Sequence, residues 1–140
     1  MFIPLTPTVA VAGQIAPDDV AAAAARGITR IINNRPDGEQ PGQPSGAAIA
    51  AAAAAAGLGY TAIPVDHSGF SREQVDAMIA ALASGEPTLA FCRSGTRSTL
   101  LWALARAAQG DDPAALAETA AAAGYDLRPI MPLLHQLQPR

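Results

Sequence analysis

Four short β-prone runs, each followed by a polar or glycine-containing loop and then a helix-forming stretch, constrain this chain more than any other feature. They lie at residues 8–12, 28–32, 60–65 and 88–92. The stretches predicted to be helical are 17–27, 45–57, 71–85, 96–109 and 113–124, with a short final helix at 127–138 interrupted early by Pro129 and Pro132. Strand and helix alternating through short connections imply a mostly parallel sheet whose faces are covered by helices. The expected class is therefore α/β, three layers deep, in one domain spanning residues 1–140. Local signals agree with the boundaries. Pro17 with Asp18 and Asp19 suits a helix start, Ser45 can cap an alanine helix, and Ser71-Arg72-Glu73-Gln74 is a capping box.

Composition narrows the function classes. The chain is 15% charged with a formal net charge of -3, so it lacks the basic footprint of a nucleic-acid or anionic-membrane binder. A single cysteine excludes an internal disulfide framework and any multi-cysteine metal site. All nine basic residues are arginine, so every anion contact by a basic side chain here uses a planar, permanently charged guanidinium. The start of the chain carries two early prolines and no basic residue, unlike a signal peptide. The longest uncharged stretch is mostly alanine, broken by Gly57 and Gly59, and does not resemble a membrane span. The expectation is a soluble, cytoplasmic protein.

One loop carries chemistry. Cys92-Arg93-Ser94-Gly95-Thr96-Arg97-Ser98 joins the most apolar strand to a helix, at the sheet edge where α/β proteins bind ligands. A glycine-containing turn into a helix start gathers backbone N–H groups into an anion cradle. The same field favours a thiolate, which can bring a cysteine from about 8.5 down to roughly 3.5–7.5. Cys92 is the candidate nucleophile and Arg97 the anion clamp. Arg93, Ser94, Gly95, Thr96 and Ser98 are candidate anion-binding residues; the Thr96 and Ser98 hydroxyls could reach the sulfur or simply suit a helix start, and Arg93 could contact the anion or be solvated. The blander alternative for Cys92 is a small buried hydrophobe.

This loop, together with Asn33-Asn34-Arg35-Pro36-Asp37-Gly38-Glu39, resembles the bacterial DUF442 family, described as phosphatase-like or rhodanese-like and also found fused to persulfide dioxygenase or β-lactamase-like domains. The resemblance covers nearly the whole chain. It implies a fold like the dual-specificity phosphatases, with the cysteine loop at the edge of a short parallel-rich sheet. It also suggests a persulfide dioxygenase as a partner.

Two chemistries compete for the loop. Tyrosine phosphatases place His before the cysteine and five residues between it and the arginine. Here Phe91 precedes Cys92, only four residues separate it from Arg97, and Ser98 stands where the arginine would fall. That length matches rhodanese-type sulfurtransferases, and a shorter loop makes a smaller cradle. The favoured expectation is transfer of sulfane sulfur from thiosulfate or glutathione persulfide to a thiol acceptor through a Cys92 persulfide, with no cofactor. The alternative is a cysteine-dependent phosphatase with Asp66 as general acid, although Asp66 before Ser68-Gly69 also reads as a turn former. A third reading is a non-catalytic sulfur-relay module.

Arg35 is expected at the same sheet edge, either adding positive charge to the pocket or binding Asp37 or Glu39. Helical spacing of Leu100, Leu101, Leu104 and Ala108 places Trp102 at the rim of the packed face. The alanine faces at 21–25 and 47–56 suit close helix–sheet approach or a homodimer interface.

Overall fold

The computed structural model describes residues 1–139. Five strands form one sheet in the order β1-β2-β5-β3-β4, with β1 at Ile3–Pro4, β2 at Val9–Ala12, β3 at Arg30–Asn33, β4 at Gly59–Ala62 and β5 at Thr88–Phe91. All neighbours are parallel except β1, which runs antiparallel to β2. Helices α1 (Pro17–Ala25), α2 (Gly46–Ala55), α3 (Arg72–Leu82), α4 (Thr96–Ala108), α5 (Pro113–Ala122) and α6 (Met131–Leu137) follow, with one 3-10 turn at Arg128–Ile130 before α6.

The register sets up the site. Ala12 and Asn33 both pair with Phe91, and Asn33 pairs with Ala62. The last residues of four parallel strands therefore lie in one row, and the four loops that follow them leave the sheet along a single line. Strand β5 sits at the centre and all four of its residues are buried, as its apolar sequence predicts.

Side chains alternate between the two faces with a period of two. Ala12, Ile31, Leu89 and Phe91 face a core closed by α1 and α2, through Val20, Ala23, Ile49 and Ala53. Val11, Ile32 and Ala90 face the larger core, built against α4 with α3, α5 and α6 around it. Buried alanines on α1 and α2 let those helices approach the sheet closely. The caps form as their sequences predict: Ser45 Oγ accepts from the Ala48 N–H at 3.1 Å, and the Ser71–Gln74 capping box closes at 3.1 and 2.8 Å.

Two expectations change, and one short strand is added. Trp102 is not at a rim: α4 is buried around most of its circumference, so Trp102 is only 2% exposed and sits inside the larger core. A one-sided helical pattern fails for a helix packed on several sides. The run at 60–65 is strand only to Ala62: Ile63 and Val65 still donate to the Asn33 and Asn34 carbonyls at 2.9 Å, but two residues on one side then match one on the other, and the regular ladder ends. The two-residue β1 is too short to show a periodicity. Among the described residues no helix is long and apolar enough to cross a membrane.

Candidate active site

Cys92 continues the line of β5, its N–H donating to the Ala12 carbonyl at 3.3 Å. The chain then turns through Arg93 and Ser94, both exposed, to Gly95, the N-cap of the 13-residue α4. Gly95 has φ +86°, the left-handed region that a Cβ disfavours. Its N–H donates to Cys92 Sγ at 3.2 Å, while its carbonyl accepts from the Thr99 N–H at 3.0 Å and the Thr99 hydroxyl at 2.8 Å. Cys92 is fully buried.

Two loop carbonyls are held by residues from outside the loop. Gln14 N–H donates to the Arg93 carbonyl at 3.3 Å, and the Tyr125 hydroxyl donates to the Ser94 carbonyl at 3.0 Å. Close packing at Gly13 belongs to the same contact, since a Cβ there would lie 3.0 Å from the Arg93 oxygen.

Arg97 lies on the first turn of α4 and is occupied by protein partners. Its two terminal nitrogens grip the Glu39 carboxylate at 2.7 and 2.8 Å, and Nη1 also donates to the Val65 carbonyl at 2.6 Å. Its pKa is raised, first by the Glu39 bond, against the cost of burial, and then by the charge of Cys92. Arg35 completes the arrangement. Its Nε donates to Glu39 at 2.9 Å, and its terminal nitrogens donate to Gln14 at 3.1 Å and Gln40 at 3.2 Å. With a side chain only 2% exposed, Arg35 is a strut for Glu39 rather than a free cation in the pocket. The Arg97 bond holds the Glu39 carboxyl down at about 2, with Arg35 adding to the effect against partial burial.

Other expected residues fall elsewhere. Thr96 Oγ1 pairs with Ser94 Oγ at 3.0 Å rather than with the sulfur. Ser98 Oγ is buried on α4 without a hydrogen-bond partner. Arg93 is exposed. Asp66 follows β4 as expected, but its carboxylate accepts from both the hydroxyl and the N–H of Ser68, which hold it below the ordinary carboxylate range. That is the geometry of an Asx turn. Asp37 accepts from the Gly46 N–H at 2.8 Å and thereby ties the loop after β3 to α2.

Sequence reasoning saw Glu39 only as a partner of Arg35 and missed its grip on Arg97. It missed Gln14 and Tyr125 altogether. Both lie far from Cys92 along the chain, and no local pattern marks them.

Comparison with known proteins supplies a family and a fold. Residues 2–109 match the family model of the beta-lactamase hydrolase-like protein, phosphatase-like domain. A beta-lactamase hydrolase-like protein of Xylella fastidiosa (strain Temecula1) is 38% identical over 131 residues, covering 90% of this chain and 30% of that protein. The chain thus spans under a third of that relative's length. Among solved structures, a candidate phosphatase of Neisseria meningitidis Z2491 is 32% identical, with 97% of each chain covered and a TM-score of 0.82. A DUF442 protein of Shewanella putrefaciens CN-32, also described as a candidate phosphatase, shares the fold at 22% identity and a TM-score of 0.74, with 97% of this chain and 85% of that one covered. The expected dual-specificity-phosphatase-like fold is thereby found. Sulfur transfer, the chemistry favoured by loop length, gains nothing from these relatives, whose descriptions point to phosphatases. With the family model covering the cysteine loop and every strand of the sheet, the chain belongs to the phosphatase-like domain family of the beta-lactamase hydrolase-like proteins, with DUF442 among its relatives.

Proposed function

We propose that this chain hydrolyses phosphomonoesters through a phosphocysteine on Cys92. The observation that carries the reading is the buried Cys92 Sγ at the end of the central strand, facing the Gly95 N–H at the start of α4, in a chain of phosphatase-like family. In the first step the thiolate attacks phosphorus. An S–P bond forms, the ester P–O bond breaks, and its electron pair leaves on the departing oxygen. Water then attacks phosphorus, the S–P bond breaks, and inorganic phosphate and the thiolate are released. Loop N–H groups, the helix start and the Arg97 N–H groups that Glu39 and Val65 leave unused stabilise the charge that gathers on the equatorial oxygens.

The leaving oxygen needs a proton unless it is a weak base. Asp66 is the expected donor, yet its Oδ1 accepts both the N–H and the hydroxyl of Ser68, which lowers its pKa and engages it in a turn, so it is poorly suited to that task. Aryl phosphates, whose phenolate departs without an acid, are therefore the favoured substrates. Asp66→Asn is expected to keep aryl-phosphate turnover within about threefold, whereas an essential general acid would contribute roughly 10²–10⁴. A loss of that larger size, confined to alkyl esters, would return the acid role to Asp66.

The test compares an aryl phosphate with thiosulfate plus a thiol and with glutathione persulfide, using Cys92→Ser as control. Acid quenching and mass spectrometry should find a phosphoryl group on Cys92. Sulfur on Cys92 and turnover of thiosulfate without aryl-phosphate hydrolysis would overturn the reading. The second reading, sulfur transfer, is favoured by one observation, the four-residue spacing between Cys92 and Arg97.

A further inference from the structure

The peptide unit joining Ser94 to Gly95 is held at both ends. Its N–H donates to Cys92 Sγ at 3.2 Å, and its C=O accepts from the Tyr125 hydroxyl at 3.0 Å. Because a peptide is planar, fixing the carbonyl outward fixes the N–H inward. Without the phenol, the carbonyl end of this unit loses the hydrogen bond that holds it, and Gly95 tolerates both hands of φ.

Tyr125 is itself well anchored. Helix α5 ends at Ala122, and the chain reverses at Gly124, where φ is +96°. The Tyr125 N–H then donates to the Ala120 carbonyl at 2.9 Å, and Leu127 is buried two residues on. The ring packs against the larger core, and its hydroxyl is so close to Gly95 that a Cβ there would lie 2.2 Å from it. All of this comes from a segment outside the 2–109 region that the family model matches.

We propose that Tyr125 is a positioning residue: its hydroxyl locks the Ser94–Gly95 peptide with the N–H turned toward Cys92 Sγ, and so stabilises the thiolate. Cys92 as nucleophile is the reading given above, and this proposal rests on it. Arg97 and Tyr125 both lie close enough to Cys92 to feel its charge; the Tyr125 pKa is raised by burial and then by that charge. The Glu39 carboxylate stands beyond Arg97.

The test needs no turnover. Cys92 is the single cysteine, so the rate of alkylation by iodoacetamide, followed by mass spectrometry across pH, reports its thiolate alone. In Tyr125→Phe the midpoint should move up. Losing one hydrogen bond should lower the thiolate fraction about fivefold at any pH below the midpoint. Profiles that superimpose on wild type overturn the proposal, whether or not the melting temperature falls. Should Tyr125→Phe fail to fold, Tyr125→Leu, which also lacks the hydroxyl that donates to the Ser94 carbonyl, is alkylated in its place, and a profile that superimposes on wild type again overturns the proposal. If aryl phosphate is not hydrolysed but the alkylation midpoint still moves, the phosphatase reading falls and the role of Tyr125 stands.

Discussion

Glu39→Gln is expected to lower both stability and activity, because one carboxylate holds two largely buried guanidiniums. Arg35, Glu39 and Arg97 side chains are 2, 17 and 11% exposed, and Glu39 bonds to both arginines. Removing one partner of a buried pair leaves uncompensated charge and costs about 3–5 kcal/mol; partial exposure places this case near the low end. A loss of about 3 kcal/mol should lower the melting temperature of a chain this size by roughly 10 °C. Arg97 also loses the anchor that sets its direction, and a displacement of about 1 Å near the reacting atoms can cost roughly a hundredfold in rate. An unchanged melting temperature would mean that the trio contributes no net stability.

The same residue gives a pH dependence of definite sign. The Glu39 carboxyl is lowered from 4.5 to about 2 in the folded chain. Its contribution is thus fully present above the unfolded value and is lost as pH falls from 4.5 through about 2. The stability gap between wild type and Glu39→Gln should shrink over that window. Denaturant unfolding at a series of acidic pH values checks it. A gap that stays constant to the bottom of the window would contradict the assignment.

Gly95→Ala should be at least as damaging to activity. At φ +86° an L side chain costs about 1–2 kcal/mol, and the added Cβ would lie 2.2 Å from the Tyr125 hydroxyl and 3.1 Å from the ring carbon that bears it. Neither group can hold its place. The loop must shift the N–H that faces Cys92, and a loss of about a hundredfold in aryl-phosphate turnover is expected. Combining Gly95→Ala with Tyr125→Ala relieves the collision but not the backbone strain. The double variant should therefore recover thermal stability in part and activity hardly at all. Wild-type activity in Gly95→Ala alone would contradict the loop geometry described here.

Much of the fold was legible because its signals are local. Ser71 with Gln74, Ser45, and the apolar run before Cys92 each act within a few residues, and each element stands where they place it. Trp102 was misread because burial on several sides erases the one-sided pattern that helical spacing detects. The loop from Cys92 to Arg97 was legible as an anion cradle because a strand end, a glycine and a helix start are adjacent in sequence. The fate of Arg97 was not legible, since a guanidinium carries no mark of what will hold it.

The sequence by itself determined the alternation of strands and helices, the single thiol at a helix start, and the guanidinium five positions after it. Only the tertiary structure decided what surrounds that thiol. Parallel register places Ala12, Asn33, Ala62 and Phe91 in one row, so Gln14, Glu39, Val65 and the cysteine loop converge from distant positions. Tyr125 arrives from beyond α5 to turn one peptide toward the sulfur. Such contacts depend on strand order and chain reversal, which no local spacing encodes, and they decide whether Arg97 and the Gly95 N–H face Cys92 or solvent.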